Sequence, residues 1–117
     1  MKRMFAILAG FGLITALLIA SPSVHADGSK PSAELGKKFF YSPEFGTNGK
    51  SCSTCHQSER KLGVLASKSS WFKGNAKTLE QAVNLCIQST MKGKALPEDS
   101  VEIQSIALYM RSFIKKK

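Results

Sequence analysis

Five consecutive residues carry the densest chemistry in this 117-residue chain: Cys52-Ser53-Thr54-Cys55-His56. Two thiols three positions apart can each form a thioether with one of the two vinyl groups on one side of a porphyrin. The next residue, His56, then sits where its imidazole can reach the iron. The pattern is therefore read as covalent attachment of one haem c, with Cys52 and Cys55 as tethers and His56 as proximal axial ligand. Three other chemistries use parts of it. A redox dithiol has the same spacing but no need of the histidine, and usually opens a helix after a strand, which this sequence does not offer. Zinc would need a second ligand pair, and the other histidine, His25, lies in the leader. A disulfide between Cys52 and Cys55 would close an unusually short loop.

The elements that must position these groups read as helices. Ser32 is a plausible N-cap for a first helix that carries Leu35, Phe39 and Phe40 inward and ends near Tyr41-Ser42-Pro43. Residues 44–50, with Gly46, Asn48 and Gly49, have turn chemistry. Residues 57–77 are polar and loop-like, broken by Gly63 and Gly74 and anchored by Trp71-Phe72. Thr78-Leu79-Glu80-Gln81 forms a capping box for a helix with Leu79, Ala82, Val83, Cys86 and Ile87 on one face, and Gly93 is a fitting stop. Asp99 or Ser100 caps a last helix in which Ile103, Ile106, Met110, Phe113 and Ile114 recur at helical spacing. No segment alternates convincingly as a strand, so the class is all-α.

From Leu35 onward the chain resembles a monohaem class I c-type cytochrome: an aromatic-bearing N-terminal helix, the attachment motif, a long loop and a C-terminal helix whose Tyr109 would cross the first. More narrowly, three stretches resemble single haem domains of thiosulfate dehydrogenase and of the cytochrome subunit of bacterial sulfur-oxidising complexes. They are Gly46-Thr47-Asn48-Gly49-Lys50-Ser51-Cys52, Val83-Asn84-Leu85-Cys86-Ile87 and Met91-Lys92-Gly93-Lys94-Ala95-Leu96. The resemblance implies a small helical fold around one haem. It also implies two candidates for the distal ligand. Cys86 matches a cysteine that can ligate iron in those domains, and Met91 is the class I expectation. Cys86 is also the odd thiol once Cys52 and Cys55 hold haem, although a small buried residue on an apolar stripe accounts for it too. Five helical residues turn through about 500°, so Cys86 and Met91 would point roughly 140° apart and only one should face the iron. Met110, on the stripe of the last helix, reads as packing.

The bulk properties set the context. Lys2-Arg3, the apolar run from Met4 to Ala20 and Val24-His25-Ala26 have the layout of a secretory signal peptide over residues 1–26, the competing reading being an uncleaved anchor. Cleavage leaves a cytochrome c domain over 27–117, with no stable membrane span and a periplasmic or otherwise exported location. The net charge falls from +9 by the two basic residues lost, to +7, and two propionates bring it to about +5. Export argues against nucleic acid as a target. The basic residues are scattered along the sequence, and the charge favours acidic redox proteins as partners. Nothing beyond the haem motif looks catalytic, so the chain reads as a one-electron carrier rather than an enzyme. The alternatives are a subunit of a sulfur-compound-oxidising enzyme or a ligand-binding haem protein. Mass spectrometry of the exported protein should find Asp27 at its N-terminus. An intact leader in a membrane fraction would establish the anchor instead.

Overall fold

The computed structural model describes residues 29–115, so the leader lies outside the described residues. Those residues form five α-helices: α1 (Ala33–Phe40), α2 (Cys52–Cys55), α3 (Glu59–Ala66), α4 (Leu79–Ser89) and α5 (Val101–Arg111). Single 3₁₀ turns occur at Pro43–Phe45 and Phe72–Gly74, and no strand is present among the described residues beyond one isolated bridge between Trp71 and Ala76. The architecture is the all-α fold expected of a class I cytochrome.

The helix ends follow capping chemistry. Ser32 accepts from the Leu35 N–H at 3.1 Å, Thr78 from the Gln81 N–H at 3.2 Å, and Ser100, rather than Asp99, from the Ile103 N–H at 3.4 Å. Each satisfies an amide with no partner inside its helix. The reciprocal bond of the capping box at α4 lands one residue early, the Lys77 N–H donating to Gln81 Oε1 at 2.9 Å.

The core forms where α5 packs on α1, α3 and α4. Phe39, Phe40, Leu62, Leu79, Ile87, Ile103 and Ile106 are buried there. Aromatic edges lock the crossing of α1 and α5: the Phe40 and Tyr109 ring centroids lie 5.3 Å apart and those of Tyr109 and Phe113 5.1 Å. Gly36 sits at the crossing itself, where an added Cβ would overlap the Ser105 carbonyl oxygen and crowd Tyr109 Cβ. The fully buried Ser105 hydroxyl accepts from the Ser32 N–H at 3.1 Å, tying the start of α1 to the middle of α5. Arg111 grips Glu80 with two bonds, at 2.7 and 3.1 Å, joining α5 to α4.

The reading of 57–77 as loop is corrected over its first half. Glu59–Ala66 is helical, because Leu62 and Ala66 fall one turn apart and are both buried against the core. Gly63 is not a break there. It lets α3 lie against the Phe113 carbonyl, which a Cβ would overlap. Gly74, by contrast, does turn the chain, with φ +91°. At the end of α4 the left-handed residue is Lys92 (φ +57°) rather than Gly93. The Gly93 N–H closes back on the Ile87 carbonyl at 2.8 Å, wrapping the chain over the end of α4. Gly93 is required instead because the Phe45 carbonyl presses on its α-carbon.

Gly36→Ala should destabilise the holoprotein by about 1–3 kcal/mol, the usual cost of forcing a methyl into a packed core. Urea unfolding followed by far-UV circular dichroism measures it. An unchanged midpoint would show that α1 can move off α5 freely.

Candidate functional site

The attachment motif forms its own short helix. In α2 the Ser51 N–H donates to Thr54 Oγ1 at 2.9 Å, and the His56 N–H closes the turn on the Cys52 carbonyl at 3.1 Å. The turn directs Cys52 inward and leaves Cys55 exposed. His56 stands on the boundary between two concavities. One is an apolar cavity of about 300 Å³, walled by Phe40, Leu79, Ala82, Val83, Ile106 and Met110 and rimmed by Leu65, Lys68, Trp71, Phe72 and Thr90. The other is a shallower cleft containing Cys55, Val64, Arg60 and Lys61, with Leu65 and Lys68 shared between the two.

Three of the candidate side chains line the apolar cavity: Cys52, His56 and Cys86. Cys55 faces the adjoining cleft, with His56 between the two spaces. Met91 does not line the cavity. Its side chain is 1 % exposed within the core, and its Cβ lies against Gly46. Met110 packs in the core and also reaches the cavity wall. Sequence reasoning missed Leu65 and Lys68 as rim residues because it read their segment as loop. A signal was present in the turn-spaced pair Leu62 and Ala66, which marks α3.

The electrostatics are those of a largely dry space. Burial pushes the Cys52 thiol up to about 12, with nearby Cys86 adding to the rise and a backbone hydrogen bond opposing it. Burial also raises Cys86, with Cys55 contributing. Burial lowers His56, keeping its imidazole neutral and able to ligate. A raised Cys52 runs against the redox-dithiol reading, whose attacking thiol needs a depressed pKa. No group of three or more His, Cys, Asp or Glu is gathered to hold a metal ion among the described residues, so the zinc reading finds no ligand set. The cavity does fit a haem. Its volume lies within the roughly 300–1,000 Å³ usual for cofactor sites, its walls are apolar and its donors are thiols and an imidazole.

Two polar clamps hold the chain on either side of α4's end. In the first, the chain entering the motif grips the chain leaving α4. The Thr47 N–H donates to the Met91 carbonyl at 2.9 Å, Thr47 Oγ1 to the Lys92 carbonyl at 2.9 Å, and Asn48 Nδ2 to the Thr90 carbonyl at 2.9 Å. In the second, buried Asn84 holds Leu96 from both sides, donating to its carbonyl at 2.7 Å and accepting from its N–H at 2.9 Å. The clamps hold the backbone around Met91, whose side chain is buried in the core. Cys86 on α4 lines the cavity with His56 and lies near enough to Cys52 and Cys55 to interact electrostatically with them.

The Trp71–Gly74 turn forms the opposite rim. Trp71 is pinned by its indole N–H donating to the Leu65 carbonyl at 2.8 Å. Phe72 and Lys73 follow with φ +50° and +55°, left-handed values that cost roughly 1–3 kcal/mol each in non-glycine residues. Phe72 is 43 % exposed at the cavity mouth.

Residues 36–116 match a family model described as SoxA/TsdA, cytochrome c domain. No curated protein and no solved structure matches the chain. The matched span takes in the motif and both clamps. Asn84→Ala, which orphans two backbone groups of Leu96, should cost about 1–3 kcal/mol in urea unfolding of the holoprotein. A loss too small to measure would mean that the 94–97 link holds its course without Asn84.

Proposed function

The chain belongs to the SoxA/TsdA cytochrome c domain family, and on that premise we propose that it is an exported, monohaem one-electron carrier whose distal ligand is Cys86. A haem electron-transfer role follows from the family itself. The observation that carries the finer reading is the convergence of Cys52, His56 and Cys86 on one apolar cavity, with Met91 buried elsewhere.

When bound, haem supplies a one-electron Fe(III)/Fe(II) couple. Cys52 and Cys55, three positions apart on α2, tether it. His56, held at the end of the same turn, would offer a neutral imidazole to the iron, and Cys86 on α4, lining the same cavity, would supply the second ligand. Phe40, Leu79, Val83, Ile106 and Met110 exclude water from the space between. An anionic thiolate ligand stabilises ferric iron and lowers the reduction potential, where a thioether raises it.

The protein's partners are redox proteins, and its net positive charge favours acidic ones. No helix of the described residues is long and apolar enough to cross a membrane. A role as a subunit of a sulfur-compound-oxidising enzyme is the alternative within the same family, and turnover of thiosulfate by the purified protein with an electron acceptor distinguishes it.

Cys52→Ala or Cys55→Ala should sharply reduce holoprotein, because each thiol makes one thioether. Ferric absorption and magnetic-resonance spectra test the distal ligand. Wild type should be low-spin without the weak red-edge band of thioether ligation. Cys86→Ser should change the spin state or admit an external ligand, while Met91→Leu should leave the spectrum nearly unchanged. The reverse pattern would make this a His/Met cytochrome with Cys86 as a packing residue.

A further inference from the structure

The charge that looks scattered along the sequence is concentrated in one place. Residues 60–79 hold five cations, Arg60, Lys61, Lys68, Lys73 and Lys77, and no Asp or Glu at all. The rest of the described chain is close to neutral, with eight cations against seven acids. All five cations of the span are exposed. Three of them border the concavities beside the motif. Arg60 and Lys61 line the cleft that contains Cys55, and Lys68 borders both spaces. Lys77 Nζ reaches Gly74 at the base of the turn that carries Phe72 and Lys73. The acids at the ends of the span are directed elsewhere. Glu80 is held by Arg111, and Glu59 lies near enough to Tyr109 to act on its phenol, on the α5 side.

Among the same residues are two exposed apolar side chains, Phe72 at the cavity mouth and Val64 on the cleft, 43 % and 59 % exposed. Phe72 is fixed rather than loose. Trp71 is anchored to Leu65, the bridge to Ala76 closes the turn, and the left-handed backbone at Phe72 and Lys73 holds the ring outward. A rigid aromatic with a basic rim, set over a redox cavity, is the arrangement that an acidic protein surface complements.

We propose that the face formed by residues 60–79 is the docking surface for an acidic redox protein, with Phe72 as its apolar anchor and the cavity mouth as the point of electron exchange. The proposal rests on the electron-transfer reading above and adds where the partner sits and what its surface carries. One electron leaves ferrous iron, giving ferric iron, and reduces the partner's centre, with no proton or atom transferred.

The test uses the ferrous holoprotein and an acidic blue-copper protein as electron acceptor, Cu(II) becoming Cu(I). A triple variant, Lys68→Glu/Lys73→Glu/Lys77→Glu, is compared with a control of equal charge, Lys30→Glu/Lys37→Glu/Lys38→Glu, on the α1 side. At about 10 mM salt, where the Debye length is near 30 Å, the first should slow bimolecular electron transfer by about tenfold or more, within the range of electrostatic steering. The control should slow it far less, and the gap should close as salt approaches 1 M. Amide shifts of the holoprotein titrated with the same acceptor in its Cu(I) state should move in 60–79 and not in α1. Equal slowing by both triples, or shifts centred on α1, would overturn the proposal, as would tighter binding to vesicles of anionic phospholipid than to the acidic protein. A holoprotein that transfers no electrons to small inorganic oxidants would instead defeat the electron-transfer reading itself.

Discussion

The Ser105 carbonyl of α5 rests against the bare α-carbon of Gly36 in α1, and the rest of the fold is arranged around that approach. Because no side chain separates the two backbones, Phe40 can reach past α5 on one side and Ile106 and Met110 can face the same cavity from the other. The fully buried Ser105 hydroxyl fixes the axial position of α1 by accepting from the Ser32 N–H. A core this small has few ways to replace such an anchor, since a chain of this length buries a modest fraction of its surface.

On that frame, polar bonds rather than apolar burial decide the chemistry of the cavity. Thr47 and Asn48 hold the backbone of residues 90–92, and Asn84 holds Leu96. The stretches that resemble sulfur-oxidising cytochromes are these clamps as much as they are ligand motifs. Their glycines serve the same purpose, because Gly46 and Gly93 allow the two chain segments to touch where a Cβ would meet backbone. The result is a cavity presented with a thiol from α4 and an imidazole from the end of α2, while the Met91 side chain packs in the core.

Charge follows a different logic. The cations of 60–79 serve no core contact, and their exposed positions spare them any desolvation cost. They collect around the cavity because α3 and the Trp71 turn carry them there. The strained backbone at Phe72 and Lys73 is tolerated because Trp71, hydrogen-bonded through its indole N–H to Leu65 and bridged to Ala76, determines the turn from both ends.

The helical class, the caps at Ser32 and Thr78, the inward Phe39 and Phe40, and the Cys52-Ser53-Thr54-Cys55-His56 motif were legible in the sequence alone. Each depends on spacing within a few residues, where one helical period or one motif carries the information. The helix at Glu59–Ala66 was not, because Gly63 and the polar residues around it read as loop until the Phe113 backbone shows why a glycine is needed there. Nor could the sequence choose between Cys86 and Met91 as the residue facing the cavity. Helix geometry says only that they point apart. In the fold Cys86 stays on α4 and lines the cavity, while Met91 lies beyond the helix, buried in the core where Thr47 and Asn48, more than forty positions away in sequence, hold the backbone of residues 90–92. The run of cations over residues 60–79 is local in sequence, but that Arg60, Lys61 and Lys68 line the cleft beside Cys55 and His56 follows from the helix of α3, because a run of charge becomes a surface at a site only when the fold sets that segment against it.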